Sequence, residues 1–122
     1  MAIVRMYTGD DGKSHFQDIN LEFRARDGKP LTELAVVHAE SGTRAIKFDP
    51  TYSTTFHNAP GRVCVCFLSG AIEIEVGDGT KRRFGLGDIL IAEDSTGEGH
   101  ATREVGDEPR VSVFVPLVES SQ

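Results

Sequence analysis

Two histidines in this chain stand where side-chain chemistry could happen. His57 lies in Phe56-His-Asn-Ala-Pro60, just ahead of the apolar run Arg62-Val-Cys-Val-Cys-Phe-Leu68, with neither a second histidine nor a carboxylate beside it. His100 closes the loop Glu93-Asp-Ser-Thr-Gly-Glu-Gly99, which brings three carboxylates up to it. Near neutral pH an imidazole does two things well: it binds transition metals through a ring nitrogen, and it moves protons. A histidine at a strand end can also be an ordinary, satisfied polar residue. The loop carboxylates are equally open, between a solvated Asx-type turn and groups that orient an imidazole.

Other candidates carry less. His38, in Val36-Val-His-Ala39, reads as a satisfied or surface residue in mid-strand, and His15 as an exposed residue of a Gly/Asp/Lys-rich loop region. Tyr52 suits the rim of a pocket as well as a packed core or an interface. Arg44, Arg62 and Arg103 would bind a carboxylate if they point inward; on a solvated face they would form cross-strand ion pairs with residues such as Glu73 or Glu75. Cys64 and Cys66 share one face of a strand, a poor geometry for a mutual disulfide, and lack the C-x2-C spacing of zinc sites. They read as small buried hydrophobes in a reducing cytoplasm. No GxSxG, P-loop, GxGxxG or HExxH stretch occurs.

The elements that must position these residues belong to a single domain, residues 1–122, large enough to bury a core without staples. With 39% hydrophobic and 26% charged residues, the chain falls in the globular class. A formal net charge of −6, with Lys81-Arg82-Arg83 as its one basic cluster, speaks against a nucleic-acid partner. No apolar stretch approaches the roughly 18 residues of a membrane span. Met1–Tyr7 lacks the charged-then-apolar order of a secretory signal, so a cytoplasmic location without a membrane partner is expected.

Strand signals run almost throughout, and no helix is convincing. Period-two alternation is clear in Ala71–Val76, with Ile72, Ile74 and Val76 on one face and Glu73 and Glu75 on the other, and it recurs in Arg110–Val115. Arg62–Leu68 is apolar on both faces, as a central strand buried on both sides would be. Shorter strands are expected at Ile3–Tyr7, Ile19–Phe23, Leu34–Ala39, Arg44–Phe48, Thr54–His57, Lys81–Phe84, Ile89–Ala92 and Ala101–Glu104. Val76-Gly-Asp-Gly-Thr80 is a hairpin signal. Short strands at intervals of roughly 8–12 residues, separated by Gly-rich turns, indicate a sandwich or barrel. Glu119–Gln122 reads as a frayed tail.

The order of these pieces resembles the cupin superfamily, small antiparallel jelly-roll β-barrels, over roughly Phe56 to Arg103. The first cupin motif is G-x5-H-x-H-x3,4-E-x6-G and the second G-x5-P-x-G-x2-H-x3-N. Gly70 matches the closing glycine of the first. Counting back from it, the family's glutamate position falls on Val63, its second histidine on Ala59 and its first on His57. In the second motif Gly87 matches the opening glycine and His100 the histidine, but a longer loop replaces P-x-G-x2-H. That loop looks like a cupin subgroup with the pattern W-H-x-A-P…L-S-G…G-D-x-L-x-A-E-D-x-T-G-x-G-H, from which this chain departs at Phe56.

The resemblance implies one all-β cupin domain with its motif-bearing core at about 54–104. It also implies a homodimer formed through N-terminal strands, Ile3–Tyr7 covering a partner's sheet edge. The family's metal site takes three histidines and a glutamate, a set that suits Mn, Fe, Ni or Zn. With Ala59 and Val63 in two of those places, His57 reads as the remnant of a metal site, and no cofactor is expected. The alternative is a transition metal recruited by His57, His100 and a loop carboxylate. Without a metal, two imidazoles in a partly apolar pocket suit acid–base chemistry on a small organic molecule, of isomerase, lyase, dehydratase or cyclase type. The candidate residues are His57, His100, Asp94 and Glu98. A non-catalytic ligand-binding or sensory cupin is the competing class. Catalysis requires both imidazoles on one cavity with a carboxylate behind one of them; a binding barrel needs no such orienter.

Overall fold

Alternation of side chains resolves into eleven strands in a computed structural model, which describes residues 2–30, 33–34 and 41–118. His38, the expected strand Leu34–Ala39 beyond Leu34, and the tail Glu119–Gln122 lie outside these residues. The strands are β1 (Ile3–Thr8), β2 (Ser14–Asp18), β3 (Arg24–Ala25), β4 (Glu33–Leu34), β5 (Arg44–Phe48) and β6 (Val63–Ser69). They continue with β7 (Ala71–Val76), β8 (Lys81–Gly85), β9 (Ile89–Ala92), β10 (His100–Val105) and β11 (Arg110–Pro116). No helix occurs among the described residues, and so none that is long and apolar enough to cross a membrane.

One sheet has six strands in the order β2-β1-β9-β6-β11-β5, and a second has three in the order β10-β7-β8; β3 and β4 form a separate pair. The inward rows of the two sheets make the core. Val65 pairs with Leu90 and Val63 with Ala92, while Val4 and Met6 sit opposite Leu90 and Ala92 on the other side. Ile72, Ile74, Val76 and Phe84 supply the facing wall, and nearly all of these side chains are fully buried. The β7–β8 hairpin closes as its sequence demands: Val76 N–H donates to the Thr80 carbonyl at 3.0 Å, and Gly79 takes a φ of 88° that suits glycine. The architecture is an all-β jelly-roll.

Three sequence expectations are corrected. Ile19–Phe23 is not a strand; the segment before it, Ser14–Asp18, pairs with β1 instead. Pairing outweighs composition at this edge, where only Ser14 and Phe16 turn inward and the remaining side chains can be polar. Thr54–His57 is not a continuous strand either. Its backbone pairing with β10 is limited to isolated bridges, Ser53 with Arg103 and His57 with His100, supplemented by hydrogen bonds between Thr54 and Thr102. Finally, β6 is central but buried on one face alone: Val65 and Phe67 are sealed, while Cys64 and Cys66 are half-buried and Leu68 is 52% exposed.

β1 also departs from the expected use. It lies between β2 and β9, pairing with β9 in parallel, so its backbone groups are already engaged on both sides and it offers no free edge.

Candidate functional site

The two sheets enclose a cavity of about 280 Å³, just under the roughly 300–1,000 Å³ usual for small-molecule sites. Its walls are the inward rows just described, chiefly Val65, Phe67, Ile72, Ile74 and Leu90. The polar side chains that reach it include His57, His100, Thr102 and Arg110.

His100 opens β10, where Gly99 lets the chain approach His57 closely. Gly99 has a φ of 75°, and a Cβ there would stand 2.0 Å from the His57 carbonyl oxygen. With that space free, the two backbones exchange hydrogen bonds, His57 N–H to the His100 carbonyl and His100 N–H to the His57 carbonyl, each 2.9 Å. The imidazole rings consequently lie side by side, centroids 4.5 Å apart and tilted by 52°. His57 is exposed at the cavity mouth, whereas His100 is only 6% exposed.

Alternation carries on past β9, turning Ala92 inward, Glu93 outward and Asp94 inward. Asp94 is fully buried. Its Oδ2 lies 2.6 Å from His100 Nδ1 and accepts the Ser14 hydroxyl, also at 2.6 Å. Its Oδ1 is the one buried side-chain polar atom without a partner among the described residues. Since a carboxylate only accepts, the proton of a neutral His100 belongs on Nδ1. His57 is held in the same sense: Nδ1 lies 3.0 Å from the Thr55 carbonyl, an obligate acceptor, and 3.1 Å from Thr54 Oγ1. Thr54 Oγ1 is itself anchored by Thr102, accepting its N–H at 3.0 Å. Both imidazoles therefore keep Nε2 uncommitted.

Of the four sequence candidates, the fold gathers His57, His100 and Asp94. Glu98 faces another way; its side chain is 53% exposed and pairs with Lys13 at 3.4 Å. Glu93 clamps the base of the loop from outside, accepting from both Arg5 and Arg62. Burial pushes the Glu93 carboxyl up, but the two guanidinium groups outweigh it and hold the pKa below the ordinary glutamate value. Asn58 pins the rest of the loop, its amide donating to the carbonyls of Asp94, Thr96 and Gly97.

Arg62 is thus spent on Glu93, Arg103 pairs with its cross-strand neighbour Glu73 at 2.9 Å, and Arg44 is exposed. Tyr52 does line the cavity and packs on Phe48 with ring centroids 4.9 Å apart. His15 lies in β2 and pairs with Asp11 at the surface. The Cys64 thiol is pushed up to about 12 by burial and by its neighbour Cys66, which keeps it protonated and unreactive at neutral pH. Two residues escaped sequence reasoning: Ser14, which holds Asp94 from 80 positions away, and Arg110, which is 3% exposed on the cavity wall. Arg110 had one readable signal, its place in the same row as Ser112 and Phe114.

A metal of the kind the fold suggests does not fit these residues. Ala59 is buried against the core and Val63 lines the cavity, and neither carries a donor atom. Asp94 bonds the Nδ1 side of His100, away from Nε2. No group of three or more His, Cys, Asp or Glu able to hold an ion occurs among the described residues.

No protein-family model matches the chain, nor does any curated protein sequence. Among solved structures it is similar to the cupin domain of Cnp3 from Schizosaccharomyces pombe, with a TM-score of 0.52 and 13% identity. That likeness covers 87% of this chain and 73% of the other. It is also similar to a conserved protein of unknown function from Streptococcus pyogenes, with a TM-score of 0.48 and 24% identity, over 65% of this chain and 66% of that one. The chain has a cupin-like jelly-roll fold.

Proposed function

We propose that this barrel binds a small, largely apolar organic molecule and carries out metal-independent acid–base chemistry on it, of isomerase, lyase, dehydratase or cyclase type. One observation carries the reading: two imidazoles line one cavity with both Nδ1 atoms engaged by oxygen acceptors and a buried carboxylate behind one of them. This is how general bases are oriented. His100 takes the substrate proton at Nε2, and the Asp94 carboxylate sits where positive charge then develops on the ring. His57, beside it and exposed, returns a proton or exchanges it with solvent. The apolar wall favours proton transfer by limiting water in the cavity.

A binding barrel needs no carboxylate behind an imidazole, whereas here Asp94 stands behind His100. Free Cys64 and Cys66 accord with a reducing, cytoplasmic setting. The test is a screen of small carbonyl and hydroxy compounds for proton exchange or isomerisation, followed by NMR in deuterated water. Wild type is expected to label at least one compound; His57→Ala and His100→Ala should each lower that rate by about 10²–10⁴-fold while the fold persists. Equal rates in all three proteins would reduce the barrel to a binding module.

A further inference from the structure

The cavity has a second polar end. In β10, His100, Thr102 and Glu104 form the inward row, so Glu104 lies about 13 Å along the strand from His100 at roughly 3.3 Å per residue. There Glu104 meets Arg110, the cavity-lining arginine of β11: Arg110 Nε lies 2.9 and 3.1 Å from the two Glu104 oxygens, and both side chains are almost wholly buried. Arg110 Nη1 donates to Ser112 Oγ at 2.8 Å, and the guanidinium lies 3.8 Å above the centre of the Phe48 ring. Nη2 donates to no described residue, yet it is not a sealed buried atom. Arg110 is only 3% exposed and lines the cavity, so the cavity is the space from which a ligand acceptor could reach those two N–H groups.

A buried ion pair is a poor stabiliser compared with apolar side chains of similar volume, so structure alone gives little reason to keep one inside an apolar barrel. We propose that Arg110 is the ligand's anchor, and that the ligand is an uncharged carbonyl compound, such as a ketone, ester or lactone, whose oxygen accepts from Arg110 Nη2. The proposal rests on reading this cavity as the ligand site. The charge follows from the neighbours: Glu104 already neutralises Arg110, and a carboxylate ligand would set a second anion against Glu104 in a low-dielectric space. The apolar walls between the two ends accept the hydrocarbon body, so the group whose proton the His57–His100 pair moves is a second functional group at the far end of the molecule. Arg110 thus sets position and specificity, leaving proton transfer to the histidines.

The probes are 2-octanone and octanoate, matched in length, titrated by NMR at pH 8 into the full-length protein. The ketone is expected to bind at least about tenfold more tightly than the carboxylate and to shift the Arg110 guanidinium resonances, as one added buried hydrogen bond would. Arg110→Lys keeps Glu104 paired but removes the fork, and should erase most of that preference. Arg110→Met with Glu104→Leu removes both charges without stranding either, and guards against loss of fold. Octanoate binding as well as the ketone, no binding of either, or a preference that survives the double substitution would each overturn the proposal. His57→Ala and His100→Ala should keep the ketone preference, so a failure of the catalytic reading is distinguishable from a failure of the anchor.

Discussion

His100 Nδ1 and Asp94 Oδ2 lie 2.6 Å apart inside the barrel, joined by a loop of six positions and shielded from water on the carboxylate side. The same oxygen takes the Ser14 hydroxyl, so two donors from opposite sheets converge on one acceptor. This arrangement locks the ring orientation and leaves one tautomer compatible with the surroundings. Asparagine at position 94 cannot repeat it. Its amide nitrogen would either face the His100 N–H or occupy the Oδ1 position, where no acceptor waits.

Asp94→Asn is therefore expected to lower stability by about 1–3 kcal/mol, the range for stranding a buried polar group. It should also move His100 from a single Nδ1–H tautomer to a mixture or to Nε2–H. Nitrogen-15 NMR of the imidazoles reads this without any substrate. Ser14→Ala supplies the contrast: about 1 kcal/mol lost for one hydrogen bond, tautomer unchanged. An unaltered tautomer in Asp94→Asn would show that Asp94 only fills space.

Much of this site was legible in the chain. The spacing from Gly70 and Gly87 singled out His57 and His100, and the acidic loop put Asp94 among the orienters. Glu98 looked equivalent to Asp94 in sequence. The structure separates them because Asp94 continues the inward phase of β9, while Glu98 meets Lys13 outside. Arg110 was hidden for a related reason. Alternation in Arg110–Val115 fixes a period but not which row turns inward, and hydrophobicity alone favours burying the valines. Register decides otherwise: Phe114 pairs with Val65 and Ser112 with Phe67, so the polar row faces the cavity and the valines face out. Ser14 belongs to contacts between distant segments, which no local pattern reveals.

Glu93 gives a pH dependence whose sign is determined. Its carboxyl pKa is depressed in the fold, so the clamp with Arg5 and Arg62 contributes fully above the unfolded value of about 4.3 and is lost as pH falls through the lower folded value. Wild type should lose more stability between pH 6 and pH 3 than Glu93→Gln, while at pH 7 the variant should be the weaker by about 1–3 kcal/mol. Urea midpoints measured across this range check both. Parallel curves for the two proteins would mean the clamp contributes nothing.

The outward valines bear on assembly. Val111, Val113 and Val115, each half-buried, lie beside the half-buried Cys64 and Cys66 and the exposed Leu68, so these outward rows of the six-stranded sheet are apolar and carry no charged residue. Such rows mark contact surfaces. We propose that a second copy covers them, in place of the edge pairing through β1 that the sequence suggested. Light scattering at micromolar concentration should give twice the chain mass, and Leu68→Asp should give the monomer with the fold kept. A monomeric wild type would rule the dimer out.

The metal question turns on donors. Ala59 has no lone pair to offer, and Val63 sets an isopropyl group on the cavity wall where a glutamate would be needed. His57 and His100 could present two Nε2 atoms to an ion, but the remaining ligands would have to be water, because Asp94 is committed to His100 and Ser14 and Glu98 to Lys13. Two imidazoles hold first-row divalent ions too weakly to withstand chelators. The expected outcome is a protein purified with far less than one transition metal per chain, whose proton-exchange rate and melting temperature are unchanged by EDTA. Val63→Glu, which adds a third donor to the wall of the same cavity, should raise affinity for Zn or Ni by at least about tenfold, and the gain should vanish when His57→Ala is added. Elemental analysis giving one tightly held transition metal per wild-type chain would overturn the metal-free mechanism and make His57 and His100 ligands instead of an acid–base pair.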